Sequence, residues 1–193
     1  VNAEHLRAIS GYWEQVRRQY CAFESDLRSG ASEVYTHGMP GGQFTNLREQ
    51  ARSLGIDDTR WPEVARAYTQ VNEMFGDIVK VTPTSKVVGD LALLMVTSGL
   101  TREQVLDPQT PIAFPESVVS LFRGDLGQPY GGFPPALQKK VLKGAQPLQV
   151  RPGEVLPPID LAQTHAELNR KTWRETSEEE LASYLMYPKV FLE

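Results

Sequence analysis

The sequence predicts a mainly α-helical chain. Apolar residues recur at gaps of three and four along most of its length, and Thr, Ser and Pro precede these periodic stretches while Gly follows them. Strand-type alternation is nearly absent. Leu6, Ile9, Trp13, Val16, Tyr20, Phe23 and Leu27 form the clearest stripe within residues 2–28, with Glu14, Arg17, Arg18, Glu24 and Asp26 on other faces. It spans only about three heptads and Gly11 interrupts it, so a core-facing helix starting near Gly11 fits better than a coiled coil. Arg28-Ser29-Gly30 reads as its end, and Cys21, beside the stripe, as a buried, inert thiol.

Residues 31–37 read as a short extended or irregular segment, and Gly38 to Gly42 as a strong turn. Phe44, Leu47, Ala51 and Leu54 then continue at helical spacing, with Gly55 as a stop. The next helix, with Thr59 as its cap, carries Trp61, Val64, Tyr68, Val71 and Phe75 inside and stops at Gly76. Asp77 to Val81 is a short β-prone run that leads into Thr82-Pro83. The helix that follows holds Val87, Val88, Leu91, Leu94 and Met95, is apolar around much of its circumference, and is expected to be buried as far as Ser98-Gly99.

Thr101 with Gln104 forms a capping box, and Ser177 with Glu180 a second. Helices are also expected from Pro115 to Arg123 and from Pro135 to Lys143, stopping at Gly124 and Gly144. Ten of the fourteen prolines fall between Pro108 and Pro158, so residues 145–160 read as an extended connector, followed by a polar helix near 161–175. This organisation gives a helical body over 1–144, a connector over 145–160 and C-terminal helices over 161–193.

Composition excludes several classes. No stretch approaches the roughly 18 apolar residues of a spanning helix. A net charge of −4 gives no general attraction to nucleic acid or to an anionic membrane. One cysteine makes no disulfide framework and gives no sign of secretion, so a cytoplasmic location is expected. His5, His37 and His165 are too scattered to form a close pair of metal ligands, and no metal site is expected in this chain. His37 reads as a hydrogen-bonded structural histidine. The Val1 start points to a fragment or a processed chain.

The segment from Lys80 to Asp90 is the richest in chemistry. Thr82 suits an N-cap and Pro83 the first helical position; Thr84 and Ser85 add hydroxyls, and Lys86 a positive charge one turn in. Such an end can hold a carboxylate or a ureido oxygen. Read from the residues alone, it is more simply an ordinary helix start with a solvated lysine, since helix starts of this kind are common. The loop from Gly127 to Pro135 is rich in glycine and proline with two aromatics, and lacks the pattern of a phosphate loop.

Several long motifs in fixed order carry a resemblance. They are Met39-Pro40-Gly41-Gly42-Gln43 with Thr45-Asn46-Leu47, Gly76 to Pro83, Ser85 to Asp90, Phe114 to Val119, and Gly127 to Pro134. Together they resemble the carboxyltransferase region shared by pyruvate carboxylase, oxaloacetate decarboxylase α subunits and the transcarboxylase 5S subunit. The likeness spans residues 12–144, and Ala182 to Phe191 extends it; Tyr20 to Leu27 with the final segment looks most like bacterial pyruvate carboxylase.

The resemblance implies a helical bundle or funnel that follows and caps a (β/α)₈ barrel not contained in this chain. In the family that barrel carries the divalent metal and the grip on pyruvate. Thr82 matches the family's catalytic threonine, which relays a proton as a carboxyl group moves from carboxybiotin to pyruvate to give oxaloacetate. Ser85 and Lys86 match residues that contact the biotin ureido head. Biotin would arrive on a separate carrier domain. The implied partners are that domain, the preceding barrel and pyruvate, within a homo-oligomer that engages neither nucleic acid nor membrane. This chain alone is expected to be inactive. A docking module for a biotinylated carrier, or the matching part of a decarboxylase or transcarboxylase, stands as the alternative. Two departures from the family are Gly38, where Glu is usual, and Thr84, where Ser is common.

Overall fold

The computed structural model describes residues 2–24 and 32–193 and is helical throughout, with no β-strand among the described residues. It divides into two compact units, residues 1–149 and 150–193.

The first unit opens with α1 (Ala3–Tyr20) and a 3₁₀ turn (Cys21–Phe23). Asn2 Oδ1 accepts hydrogen bonds from the Glu4 and His5 amides, so the helix starts well before Gly11. None of its residues is buried: Leu6, Ile9, Trp13 and Tyr20 are all exposed, which corrects the expectation of a core-facing helix. Cys21 is likewise exposed rather than buried. Leu27 and the expected stop at Arg28–Gly30 lie outside the described residues.

Next come α2 (Val34–His37), α3 (Gly41–Ser53), α4 (Trp61–Met74) and α5 (Thr84–Ser98). The segment expected to be extended thus closes a single helical turn, α2, because the His37 and Gly38 amides reach the Glu33 and Val34 carbonyls. Gly55, Gly76 and Gly99 stop their helices as expected, all with positive φ. Asp57, rather than Thr59, organises the start of α4: its Oδ1 accepts from the Thr59 and Arg60 amides. An acceptor-only carboxylate two residues back takes both amides and the Thr59 hydroxyl itself, so Thr59 donates rather than caps.

The unit ends with α6 (Arg102–Leu106), α7 (Glu116–Arg123) and α8 (Pro135–Leu142). Both partners of the Thr101–Gln104 capping box are in place. Lys140 reaches back so that its ammonium donates to the Gln104, Val105 and Asp107 carbonyls, closing the C-terminal end of α6. The core is centred on α5, which packs against α3, α4 and α7 and buries Val87, Val88, Leu91, Ala92, Leu93 and Met95, as its all-round apolar sequence predicts. Phe122 joins the two ends of this core, with ring centroids 4.9 Å from Phe75 and 4.6 Å from Phe133.

The second unit holds α9 (Pro152–Val155), α10 (Leu161–Thr172), α11 (Glu178–Met186) and α12 (Pro188–Leu192). One turn of helix, α9, therefore interrupts the stretch expected to be an extended connector. Asp160 caps α10, and the Ser177–Glu180 capping box starts α11. Leu168 and Leu181 are the buried apolar side chains of these two helices. Arg174 pairs with Glu180 beside the capping box, and these contacts hold the Glu180 carboxyl down at about 2.

Candidate functional site

The start of α5 forms from a compact run of local contacts. Asp77 sits at φ 54°, and its amide and carboxylate are held by the Asn72 carbonyl and side-chain amide at 2.9 and 2.6 Å. Residues 77–81, expected to be β-prone, run without strand partners from there to the helix. The Thr82–Pro83 peptide is cis.

The expected N-cap role of Thr82 is not observed. The Ser85 amide is taken by the Val81 carbonyl at 3.1 Å and the Lys86 amide by the Pro83 carbonyl at 3.1 Å, and no side chain caps the helix start. Thr84 holds the turn instead: its hydroxyl lies 2.6 Å from both the Val79 and Val81 carbonyls and 3.2 Å from the Val81 amide. Thr82 is exposed, and its hydroxyl is not used by the helix start.

The three residues singled out from the sequence lie within five positions but occupy different surroundings. Thr82 is exposed in the turn. Ser85 is buried, and its carbonyl accepts from the Tyr68 hydroxyl at 3.3 Å. Burial pushes the Tyr68 phenol up to about 12, so it stays a neutral donor. Lys86 is exposed, and its ammonium meets both oxygens of Asp90, at 2.7 and 3.0 Å. Asp90 Oδ2 also accepts from the Ser117 hydroxyl of α7 at 2.6 Å.

Neither Asp90 nor Ser117 was picked out as functional from the sequence. The four-residue spacing of Lys86 and Asp90 is a usable signal; Ser117 lies within the motif from Phe114 to Val119, but nothing there pairs it with Asp90, 27 residues away.

Beside this turn lies a cleft of about 520 Å³ between residues 76–84 and the loop 126–133, with Val79, Val81, Thr84, Leu126, Tyr130 and Phe133 on its walls. Tyr130, on the loop, is fully exposed. One glycine of α5 lets two helices meet. A Cβ on Gly89 would come within 2.5 Å of Gln43 Nε2 and 2.9 Å of Leu47 Cδ1, so only glycine lets α5 approach α3 this closely. Gly38, at φ +61°, has Lys80 Nζ 3.3 Å from where a Cβ would stand. His37 beside it is structural, as expected: its Nδ1 accepts from the Met39 amide at 3.0 Å and its ring stacks on Phe44. Burial lowers its pKa below the usual histidine value.

Among the described residues no group of His, Cys, Asp and Glu side chains could hold a metal ion, and no helix is long and apolar enough to cross a membrane. The site offers instead an exposed hydroxyl, a braced ammonium and a neighbouring cleft, all on a helical scaffold.

Residues 34–193 match the model of the conserved carboxylase domain, and the chain belongs to this family. It is 49% identical to pyruvate carboxylase of Bacillus subtilis and 47% to that of Staphylococcus aureus, in each case over 99% of this chain. It spans only 17% and 16% of those two proteins. Among solved structures, the carboxyl transferase domain of Rhizobium etli pyruvate carboxylase with oxamate and biotin matches with a TM-score of 0.91 and 60% identity. All of this chain and 32% of that one are covered. The same domain with pyruvate and biocytin matches equally well, at a TM-score of 0.91.

Proposed function

We propose that this chain is the post-barrel helical part of a biotin-dependent carboxyltransferase that carboxylates pyruvate to oxaloacetate, and that it acts only within the longer enzyme. The observation that carries this reading is the Thr82 hydroxyl. It is exposed and left out of the capping of α5, two residues before Thr84 on the cleft wall and four before Lys86. A hydroxyl both donates and accepts, as a proton relay requires.

The residues present fit a biotin head. A ureido ring offers a carbonyl acceptor and an N–H, and the exposed partners here are the Thr82 hydroxyl and the Lys86 ammonium. Ser85 is the third proposed contact, although it is buried here. Biotin, on its separate carrier domain, supplies the carboxyl group and a ring nitrogen able to take a proton. Thr82 Oγ1 would accept a proton from the pyruvate methyl group and release its own toward the nitrogen that has given up its carboxyl group, and the pyruvate enolate so formed would take up that carboxyl group as CO2 through a new C–C bond. The Tyr68 contact to the Ser85 carbonyl and the Thr84 contacts keep the turn in place meanwhile, so little reorganisation accompanies transfer.

The divalent metal and the grip on pyruvate belong, on this reading, to the preceding barrel. Residues 1–144 and 161–193 serve one carboxyltransferase domain, joined through 145–160. The full enzyme is a cytoplasmic homo-oligomer.

The test is Thr82→Ala in the full-length enzyme. Pyruvate carboxylation is expected to fall by at least about a hundredfold, with ATP-dependent carboxylation of biotin retained and Thr82→Ser restoring much of the loss. Near-normal oxaloacetate production by Thr82→Ala would sink the assignment.

A further inference from the structure

Lys86 is exposed in the first turn of α5, and an unheld lysine would spend its time spread over many rotamers. Lysine loses up to about 2 kcal/mol of side-chain entropy when fixed. Here it is fixed. Asp90, one turn further along α5, offers both carboxylate oxygens to the ammonium, at 2.7 and 3.0 Å. Asp90 is itself the less exposed partner, with 17% of its side chain accessible against 56% for Lys86.

A second element secures the carboxylate. Ser117 in the first turn of α7 donates to Asp90 Oδ2 at 2.6 Å. The packing of α7 on α5 places that hydroxyl: Val118, Leu121 and Phe122 are buried on one side of α7, which holds Ser117 toward α5. Ser117 and Lys86 are joined through Asp90 Oδ2, which both bond, so the effect of Ser117 on the ammonium is assigned to that shared oxygen.

We propose that Asp90 and Ser117 are positioning residues for the biotin head: Ser117 fixes Asp90, and Asp90 fixes Lys86. This rests on the reading of Lys86 as a biotin contact. An ammonium has three N–H donors, and the carboxylate pair leaves donor capacity for an incoming carbonyl oxygen. A pre-placed donor costs less to order on binding than a mobile one, so the arrangement acts on biotin affinity. The pair also balances the ammonium with a carboxylate, which favours a neutral ureido oxygen over small anions that would compete for a free lysine.

The experiment uses the full-length enzyme and the biotin-dependent decarboxylation of oxaloacetate, with free biotin as the probe. Asp90→Asn and Ser117→Ala are each expected to raise the KM for biotin about three- to tenfold, the range of a charge-assisted hydrogen bond lost through an intermediary, while the KM for oxaloacetate stays put. Ser117→Thr, which keeps the hydroxyl, is expected to return the biotin KM to near the parent value. Because Asp90 acts through Lys86, Asp90→Asn made in a Lys86→Met background should add little to the biotin KM.

Equal rises in both KM values, or full additivity in the double variant, would overturn the proposal and mark the contact as merely structural. So would Lys86→Met raising the biotin KM while Asp90→Asn and Ser117→Ala leave it alone, an outcome that keeps the underlying reading intact. A biotin KM unmoved by Lys86→Met would instead remove the reading of Lys86 on which the proposal stands. Circular dichroism melts of each variant show whether a loss of fold accounts for the change.

Discussion

Helices α1 and α5 carry the two clearest apolar patterns in the chain, and they end in opposite surroundings. Helix α5 buries eight residues against α3, α4 and α7, whereas α1 buries none. The difference does not lie in local signals: α1 has a side-chain cap at Asn2, and α5 has none. It lies in what else the chain supplies. Three helices of the same unit close over α5, and no described residue closes over α1. An apolar stripe states that a face is to be covered; it does not state by which segment.

The sharpest way to break this contrast is to cut into α5. Leu91 is wholly buried, so Leu91→Ala is expected to lower the unfolding free energy of this chain by about 2–5 kcal/mol, read by urea denaturation. A loss under about 1 kcal/mol would mean that α5 is not the centre of the core.

Gly89→Ala probes the opposite kind of packing on the same helix. Alanine gains about 1 kcal/mol of helix propensity, but the added Cβ meets Gln43 and Leu47 in a filled interface, where overpacking costs about 1–3 kcal/mol. A net loss of about 1 kcal/mol is expected, and a stabilised variant would show that α3 gives way easily.

Acid tests the edge of the α3 region. Burial depresses the His37 pKa below its unfolded value, so its contribution to stability is present above the unfolded pKa of about 6.5 and is lost as pH falls through the lower folded value. Protonation also removes the Nδ1 acceptor from the Met39 amide. Melting temperature should therefore drop more steeply between pH 7.5 and 5 in the parent than in His37→Asn; parallel curves would contradict this.

The smallest effect is expected on α1. Ile9→Ser with Trp13→Ser removes two exposed apolar side chains, and the change in stability of this chain should stay within about 0.5 kcal/mol. A cost of several kcal/mol would show that α1 is covered after all.

Much of the fold was legible because its signals are local. The capping boxes at Thr101 and Ser177, the glycine stops at Gly55, Gly76, Gly99 and Gly124, and the burial of α5 all follow from a few adjacent side chains and their period. The misreadings have two causes, one local and one long-range. Thr82 was expected as a cap, but the Val81 and Pro83 carbonyls had already taken the amides, and Thr84 holds the turn. Cys21 and the α1 stripe were expected inside, but burial depends on distant segments. At the candidate site the motif located Thr82, Ser85 and Lys86, whereas the link from Lys86 through Asp90 to Ser117 joins two helices and has no signature in either alone.

By itself, then, the sequence determined the helical class, most helix ends and the family, because capping, periodicity and motif order are short-range properties of the chain. The tertiary structure alone decided which apolar face is covered, left the Thr82 hydroxyl out of the helix start, and brought Ser117 to Asp90. Those outcomes depend on competition for the same hydrogen bonds and on contacts between segments far apart in sequence, which no local pattern records.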